Sequence, residues 1–191
     1  MLTEKGAHMS EELIIRHCAP TLAGLKTGAI FNCSYTSEEE LSCWLRSINR
    51  RLSKKGLRII PLKKESGRVM IYVYRPAKLF ADMQSDDASE LLSRFGYISE
   101  MPLRCVTQLI KRMKDSGEFP HEIGLFLGYP PEDVRGFIEK GAAASKLTGI
   151  WKVYGDEEKA KKTFSLYKKC TGAYLRQYKN GSTIERLTVA V

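Results

Sequence analysis

Two short segments of this chain gather residue types that can do chemistry. In residues 17–27, His17 and Cys18 stand side by side, with Thr21, Lys26 and Thr27 close behind. In residues 121–134, His121 is followed by Glu122, and Tyr129 precedes a pair of prolines. A cysteine just ahead of Pro20, where a new helical turn would begin with its amides free, has a setting that lowers a thiol's pKa. A cation such as Lys26 would lower it further. His121 would then act as base and Glu122 as the acid that orients it, the logic of Cys-His nucleophilic catalysis. Neighbours on a helix do not face each other, so His17 is poorly placed to serve Cys18. The catalytic candidates are therefore Cys18, His121 and Glu122. His17, Cys18 and His121 are candidate ligands for a transition metal or a haem iron, and Thr21, Lys26 and Tyr129 are candidate walls of a cofactor or small-molecule pocket.

Each of these residues has a plainer structural role against which it must be weighed. A buried cysteine is usually a small inert hydrophobe, a glutamate at a helix start complements the helix dipole, and a tyrosine beside Pro130 often seals a core. The stretch from Gly24 to Gly28 resembles a phosphate-binding loop but fails its pattern: Leu25 separates Gly24 from Lys26, and a strand follows where a helix is needed. Five cysteines, widely spaced and without a C-x-x-C pair, argue against a disulfide framework and against a zinc ribbon.

The elements that must position these groups are legible from pattern. Ser10 can cap a helix that Pro20 should interrupt. Residues 29–33 form a short apolar run between turn signals and predict a buried strand. Ser37 and Glu40 form a capping box ahead of Leu41, Trp44, Leu45, Ile48 and Leu52 at helical spacing, with Gly56 as stop. Residues 57–62 and 68–74 predict a hairpin, and the second strand, apolar on both faces, belongs at the centre of its sheet. Helices follow over 76–83, 86–95, from Met101 to near Gly117, and over 120–127 and 130–140. Residues 150–154 read as a strand, Asp156 caps a long basic helix with a break near Gly172, and 184–191 read as a last strand. The sum predicts an α+β fold: one mixed sheet of about five strands packed with about seven helices. Residues 10–191 read as one domain with a helical subdomain over 76–140, because no Gly, Ser or Pro linker marks a boundary. Residues 1–9 read as a loose tail resembling a cloning remnant.

Charge bounds the partners. There are 31 lysines and arginines against 22 acids, for a net charge of +9, and 43% of residues are hydrophobic. The excess sits in two places: nine cations and one acid between Arg46 and Arg68, and seven cations with no acid between Lys159 and Lys179. Arg46, Arg50, Arg51, Lys54, Lys168 and Lys169 are the candidates for an anion-binding face, for nucleic acid or another anionic partner. Tyr167, Tyr174 and Tyr178 are interleaved with the second group and could stack on bases, although their spacing of seven and four makes a stripe that more often faces a core. No run approaches the roughly 20 apolar residues of a membrane helix, and no secretory signal opens the chain. The expected setting is cytoplasmic, with no membrane partner.

HCAPTLAGLKT at 17–27 and HEIGLFLGYPPEDV at 121–134 resemble the two signature segments of a family of small bacterial proteins defined as a domain of unknown function, and the similarity runs from Ser10 onward. The resemblance implies a bacterial, cytosolic protein and carries no catalytic residue, cofactor or activity with it. From the residues themselves, the expected function is a small-molecule, metal or redox-cofactor pocket formed by 17–27 and 121–134. The alternative is a basic module for nucleic acid or another anionic partner.

Overall fold

The computed structural model of the chain describes residues 8–115 and 119–190. Its elements in chain order are α1 (Glu11–Leu22), β1 (Gly28–Ser34), α2 (Glu38–Leu52), β2 (Arg58–Glu65), β3 (Arg68–Tyr74), α3 (Pro76–Met83), α4 (Asp86–Ser93), α5 (Pro102–Asp115), α6 (Ile123–Phe126), α7 (Pro131–Lys140), β4 (Leu147–Thr148), β5 (Lys152–Val153), α8 (Glu157–Lys179) and α9 (Ile184–Leu187). The α+β class is as expected, but the single five-stranded sheet is not. The strands form a three-stranded sheet in the order β1-β3-β2 and a separate two-stranded pair, β4-β5. The chain divides into two compact units, residues 1–75 with 170–191 and residues 76–169, and the division falls inside α8.

In the first unit, the doubly apolar β3 lies between two antiparallel edge strands, with Gly28 opposite Tyr74 on one side and Arg58 opposite Tyr74 on the other. The β2–β3 turn is tighter than the predicted five-residue loop. Only Ser66 and Gly67 lie outside the strands, both with positive φ (50° and 74°), the conformation that matches strand twist in a two-residue hairpin. Alternation sends Ala29, Phe31, Cys33, Ile59, Val69, Ile71 and Val73 into one core with Ile14, Cys18 and Leu22 of α1, Leu41, Ile48 and Leu52 of α2, and Ile184 and Leu187 of α9. On edge strand β2, Asn49 of α2 bonds both backbone groups of Ile59, accepting from its N–H at 3.0 Å and donating to its carbonyl at 2.7 Å.

Two expectations in this unit are corrected. Pro20 does not end α1, because it lies in the last turn, where the bond its missing N–H forgoes is a single one. The chain then turns back at Gly24 (φ 75°), and the amides of Leu25 and Lys26 both donate to the carbonyl of Pro20, at 2.9 and 3.1 Å. The predicted strand at 184–191 is helical over Ile184–Leu187, with Thr183 as its cap. Ile184 and Leu187, three apart, bury one helical face, and the N–H of Val189 goes to the carbonyl of Leu22 (3.0 Å) instead of to a strand. Val191 lies outside the described residues.

The second unit is mainly helical, with a core that includes Leu79, Leu92, Tyr97, Leu109, Phe126 and Val153. The predicted strand at 150–154 shrinks to the two residues of β5, and Asp133 on α7 is the reason. Its carboxylate accepts from the amides of Tyr154 (2.6 Å) and Gly155 (2.8 Å), so these two backbone donors go to a side chain and not to a ladder, and it also accepts from the indole N–H of Trp151 (2.7 Å). A Cβ on Gly149 would lie 2.1 Å from the Phe164 ring, so only glycine lets the hairpin approach α8. α8 runs through Gly172 without the expected break, and the expected stop near Gly117 lies outside the described residues.

Candidate functional site

The two signature segments fall in different units, 17–27 in the first and 121–134 in the second. In the first unit, Cys18 is fully buried in the second half of α1, not at a helix start. Burial pushes its thiol up to about 12, against a smaller opposing pull from Lys26. A thiol held protonated in this way is not an activated nucleophile, which reverses the expectation of a lowered pKa. Lys26 is itself only 8% exposed, and burial lowers its ammonium to about 8 while Cys18 acts in the opposite sense. Thr21 is fully buried, and among the described residues its hydroxyl has no hydrogen-bond partner. The His17 ring stacks on Phe31, with centroids 5.6 Å apart.

A residue that the sequence reading passed over organises this segment. Arg75, 2% exposed, donates from its guanidinium to the carbonyls of Thr21 (2.7 Å), Leu22 (2.7 Å), Lys55 (3.2 Å) and Val189 (2.7 Å), while its amide donates to Thr27 (2.9 Å). The carbonyls at the end of α1 that lack intrahelical partners are thus satisfied by a buried cation, and burial lowers the pKa of that guanidinium. Its only sequence signal is an arginine that closes a strand of otherwise apolar character.

In the second unit, His121 and Glu122 are adjacent and oppositely placed. His121 is exposed, with its ring edge-on to Phe137 at 4.9 Å. Glu122 is 1% exposed, and one carboxylate oxygen accepts from Arg112 Nε (2.7 Å) and from the Tyr97 hydroxyl (3.0 Å). Burial and the Glu122 charge push the Tyr97 hydroxyl up. Glu122 is therefore committed to a buried ion pair and does not orient His121. Tyr129 stacks on Trp151 (4.9 Å, 27°), and burial raises its hydroxyl to about 12. A cleft of about 250 Å3 in this unit is lined by Asp87, Glu132, Arg135, Glu139, Lys140 and Tyr154, among others. None of the chosen site residues lines it, and its acids outnumber its bases. Among the described residues, no three of His, Cys, Asp or Glu gather to hold a metal ion, and no helix is long and apolar enough to cross a membrane.

The basic segments differ in how far their charge is spent. In the first, Arg51 pairs with Glu11 (2.6 Å) and with Glu185, Lys64 with Glu38, and Lys63 with Glu65. Arg46 donates to Cys43 Sγ (3.1 Å) and Arg58 to the carbonyl of Leu57 (3.1 Å), and Arg46, Arg50, Lys54, Arg58 and Arg68 are exposed with no carboxylate pair among the described residues. On α8, Lys159, Lys162, Lys168 and Lys169 are exposed, and among the described residues no carboxylate pairs with them; Lys161 alone is paired, with Glu157 and Glu158. Lys159, Lys162 and Lys169, three and seven apart, share one helical face. Lys159 and Lys162 were counted in the basic run but not singled out. Tyr167 is buried, while Tyr174 and Tyr178 pack against the first unit's core, so none of the three is a free stacking platform.

No curated protein and no solved structure matches this chain. The family described as protein of unknown function (DUF3793) matches residues 14–188, from within α1 to just past α9; the chain belongs to that family.

Proposed function

We propose that this protein binds a polyanion, with a nucleic acid strand as the ligand class, through the outward face of α8 in the second unit. The observation that carries this reading is the exposed set Lys159, Lys162, Lys168 and Lys169, none of which forms an ion pair with a carboxylate of the described residues, Asp156 acting on Lys159 and Lys162 only from a distance. Unpaired cations on a rigid helix attract phosphates without a desolvation penalty and release condensed counterions on binding. The pocket reading is less well supported, because a protonated buried Cys18 and an ion-paired Glu122 leave its proposed nucleophile and orienting acid otherwise engaged. With the tyrosines turned inward, recognition is electrostatic and tolerant of sequence.

The test is fluorescence anisotropy of a labelled single strand titrated with the full chain at several salt concentrations. Affinity is expected to fall steeply with salt, with a slope of about −0.7 per phosphate contact. Lys162→Glu combined with Lys169→Glu is expected to weaken binding at least ~10-fold with no change in thermal unfolding, while Cys18→Ala leaves it intact. No binding at low salt, or equal binding by the charge-reversed variant, would overturn the reading.

A further inference from the structure

We propose that the turn over residues 98–101 and the outer face of α5 form a docking surface for an anionic lipid membrane. The turn exposes Ile98 (52%) and Met101 (43%), and the adjoining first turn of α5 exposes Leu103 (70%). These three large aliphatic side chains lie within six residues, a concentration that soluble surfaces rarely leave in water without use. The exposure is built in. Between them Ser99 is buried, and its carbonyl accepts from Gln84 Nε2 (3.1 Å) while its hydroxyl bonds that of Ser89 (2.8 Å). The carbonyl of Ile98 accepts from the amide of Met101 (2.9 Å) and the thiol of Cys105 (3.1 Å). The turn is held by its polar groups on the inside, and its apolar side chains are what it presents.

Charge names the partner. Leu103, Arg104, Thr107, Lys111 and Lys114 share one exposed helical face, and among the described residues no carboxylate pairs with Arg104, Lys111 or Lys114. Arg112, on the side of the helix that meets the core, is the cation spent on Glu122. Glu100 is the one acid in the turn. Aliphatic side chains next to unpaired cations match an interface where acyl chains lie beneath anionic headgroups, and either part alone binds only weakly. A hydropathy reading points to no membrane partner because it tests for spans; this surface lies in the plane of the interface.

The experiment is cosedimentation of the full chain with vesicles of phosphatidylcholine alone and with phosphatidylglycerol added. Binding is expected only to the anionic vesicles, and added salt should reduce it. Leu103→Asp should lower the partition at least ~10-fold, and Lys111→Glu with Lys114→Glu should lower it as well. Leu103→Asp should leave strand binding in the anisotropy assay unchanged, which separates this surface from the α8 face. Circular dichroism verifies each fold, and Leu103→Ser substitutes if the aspartate variant is not folded. Absence of binding by the wild type, or equal binding by the Leu103 variant, overturns the proposal. Concentration-dependent self-association lost in Leu103→Asp without vesicle binding also overturns it and gives the face to a second copy of the chain.

Discussion

Residue identity alone made Cys18 the leading nucleophile and Lys26 its activating cation, and burial reverses both roles. Because the thiol is raised to about 12 inside the core, native protein should resist alkylation at Cys18, whereas Cys43, exposed on α2 beside the Arg46 guanidinium, should label readily. Peptide mass spectrometry after timed iodoacetamide treatment, native and then unfolded, is the check; equal native rates at the two sites would mean that Cys18 opens to solvent. Lys26 has an ordinary pKa of 10.5 in the unfolded chain and about 8 when folded. Between these values the unfolded state binds more protons, so this residue's contribution to stability rises with pH across that window. Cys18 and Cys33, raised from 9.0 to about 12 and 11, act oppositely above 9.0, as do Cys105, Cys170 and, at higher pH, tyrosines such as Tyr97 and Tyr129, so the whole protein's profile mixes many groups. The difference between wild-type Lys26 and Lys26→Met, both in chains carrying Cys18→Ala, removes the coupled thiol and leaves the lysine's contribution. The variant should be the more stable at neutral pH, and its advantage should shrink as pH rises from 8 to 10.5, as read from urea midpoints.

At the scale of elements, single buried charges decide boundaries that propensity leaves open. Asp133 draws the amides of Tyr154 and Gly155 away from a ladder, so a short hairpin stands where a strand was expected, and it holds the Trp151 indole as well. Arg75 draws four carbonyls and holds the end of α1 and the segment after α9. Removing such a group leaves its partners buried and unsatisfied, at a cost of about 1–3 kcal/mol for each group that stays dry. Asp133→Ala is therefore expected to lose about 3 kcal/mol or more of stability and to change the near-ultraviolet signal of Trp151. Asp133→Asn, which keeps an acceptor oxygen, should lose less. A variant with unchanged urea midpoint and unchanged Trp151 signal would refute the role given to this carboxylate.

Across the whole molecule, net charge misleads until its pairing is known. The two basic segments look alike in sequence, yet three cations of the first are paired through Glu11, Glu38, Glu65 and Glu185, whereas in α8 Lys161 is paired and Lys159, Lys162, Lys168 and Lys169 stand exposed without an ion pair among the described residues. The salt dependence of polyanion binding should therefore respond to reversal of Lys162 and Lys169 and much less to reversal of Arg50. The local pattern by itself determined the hairpin and the central place of β3 in its sheet, the Ser37 cap of α2, the helices started by Pro76, Pro102 and Pro131 and the α+β class, because these depend on period and capping within a few residues, whereas the helix expected over 120–127 is confined to Ile123–Phe126. The expected resemblance to a family of unknown function is met by the match over residues 14–188. Only the tertiary structure decided that the first three predicted strands form a sheet of their own, that the fourth shrinks to β5 and pairs with β4, that the fifth is the helix α9, that α1 passes through Pro20, and that Cys18 is a core residue and Glu122 a buried carboxylate paired with Arg112. The reason is physical: desolvation, ion pairing and the destination of each backbone donor are set by groups distant in sequence, such as Arg112 for Glu122 and Asp133 for Tyr154.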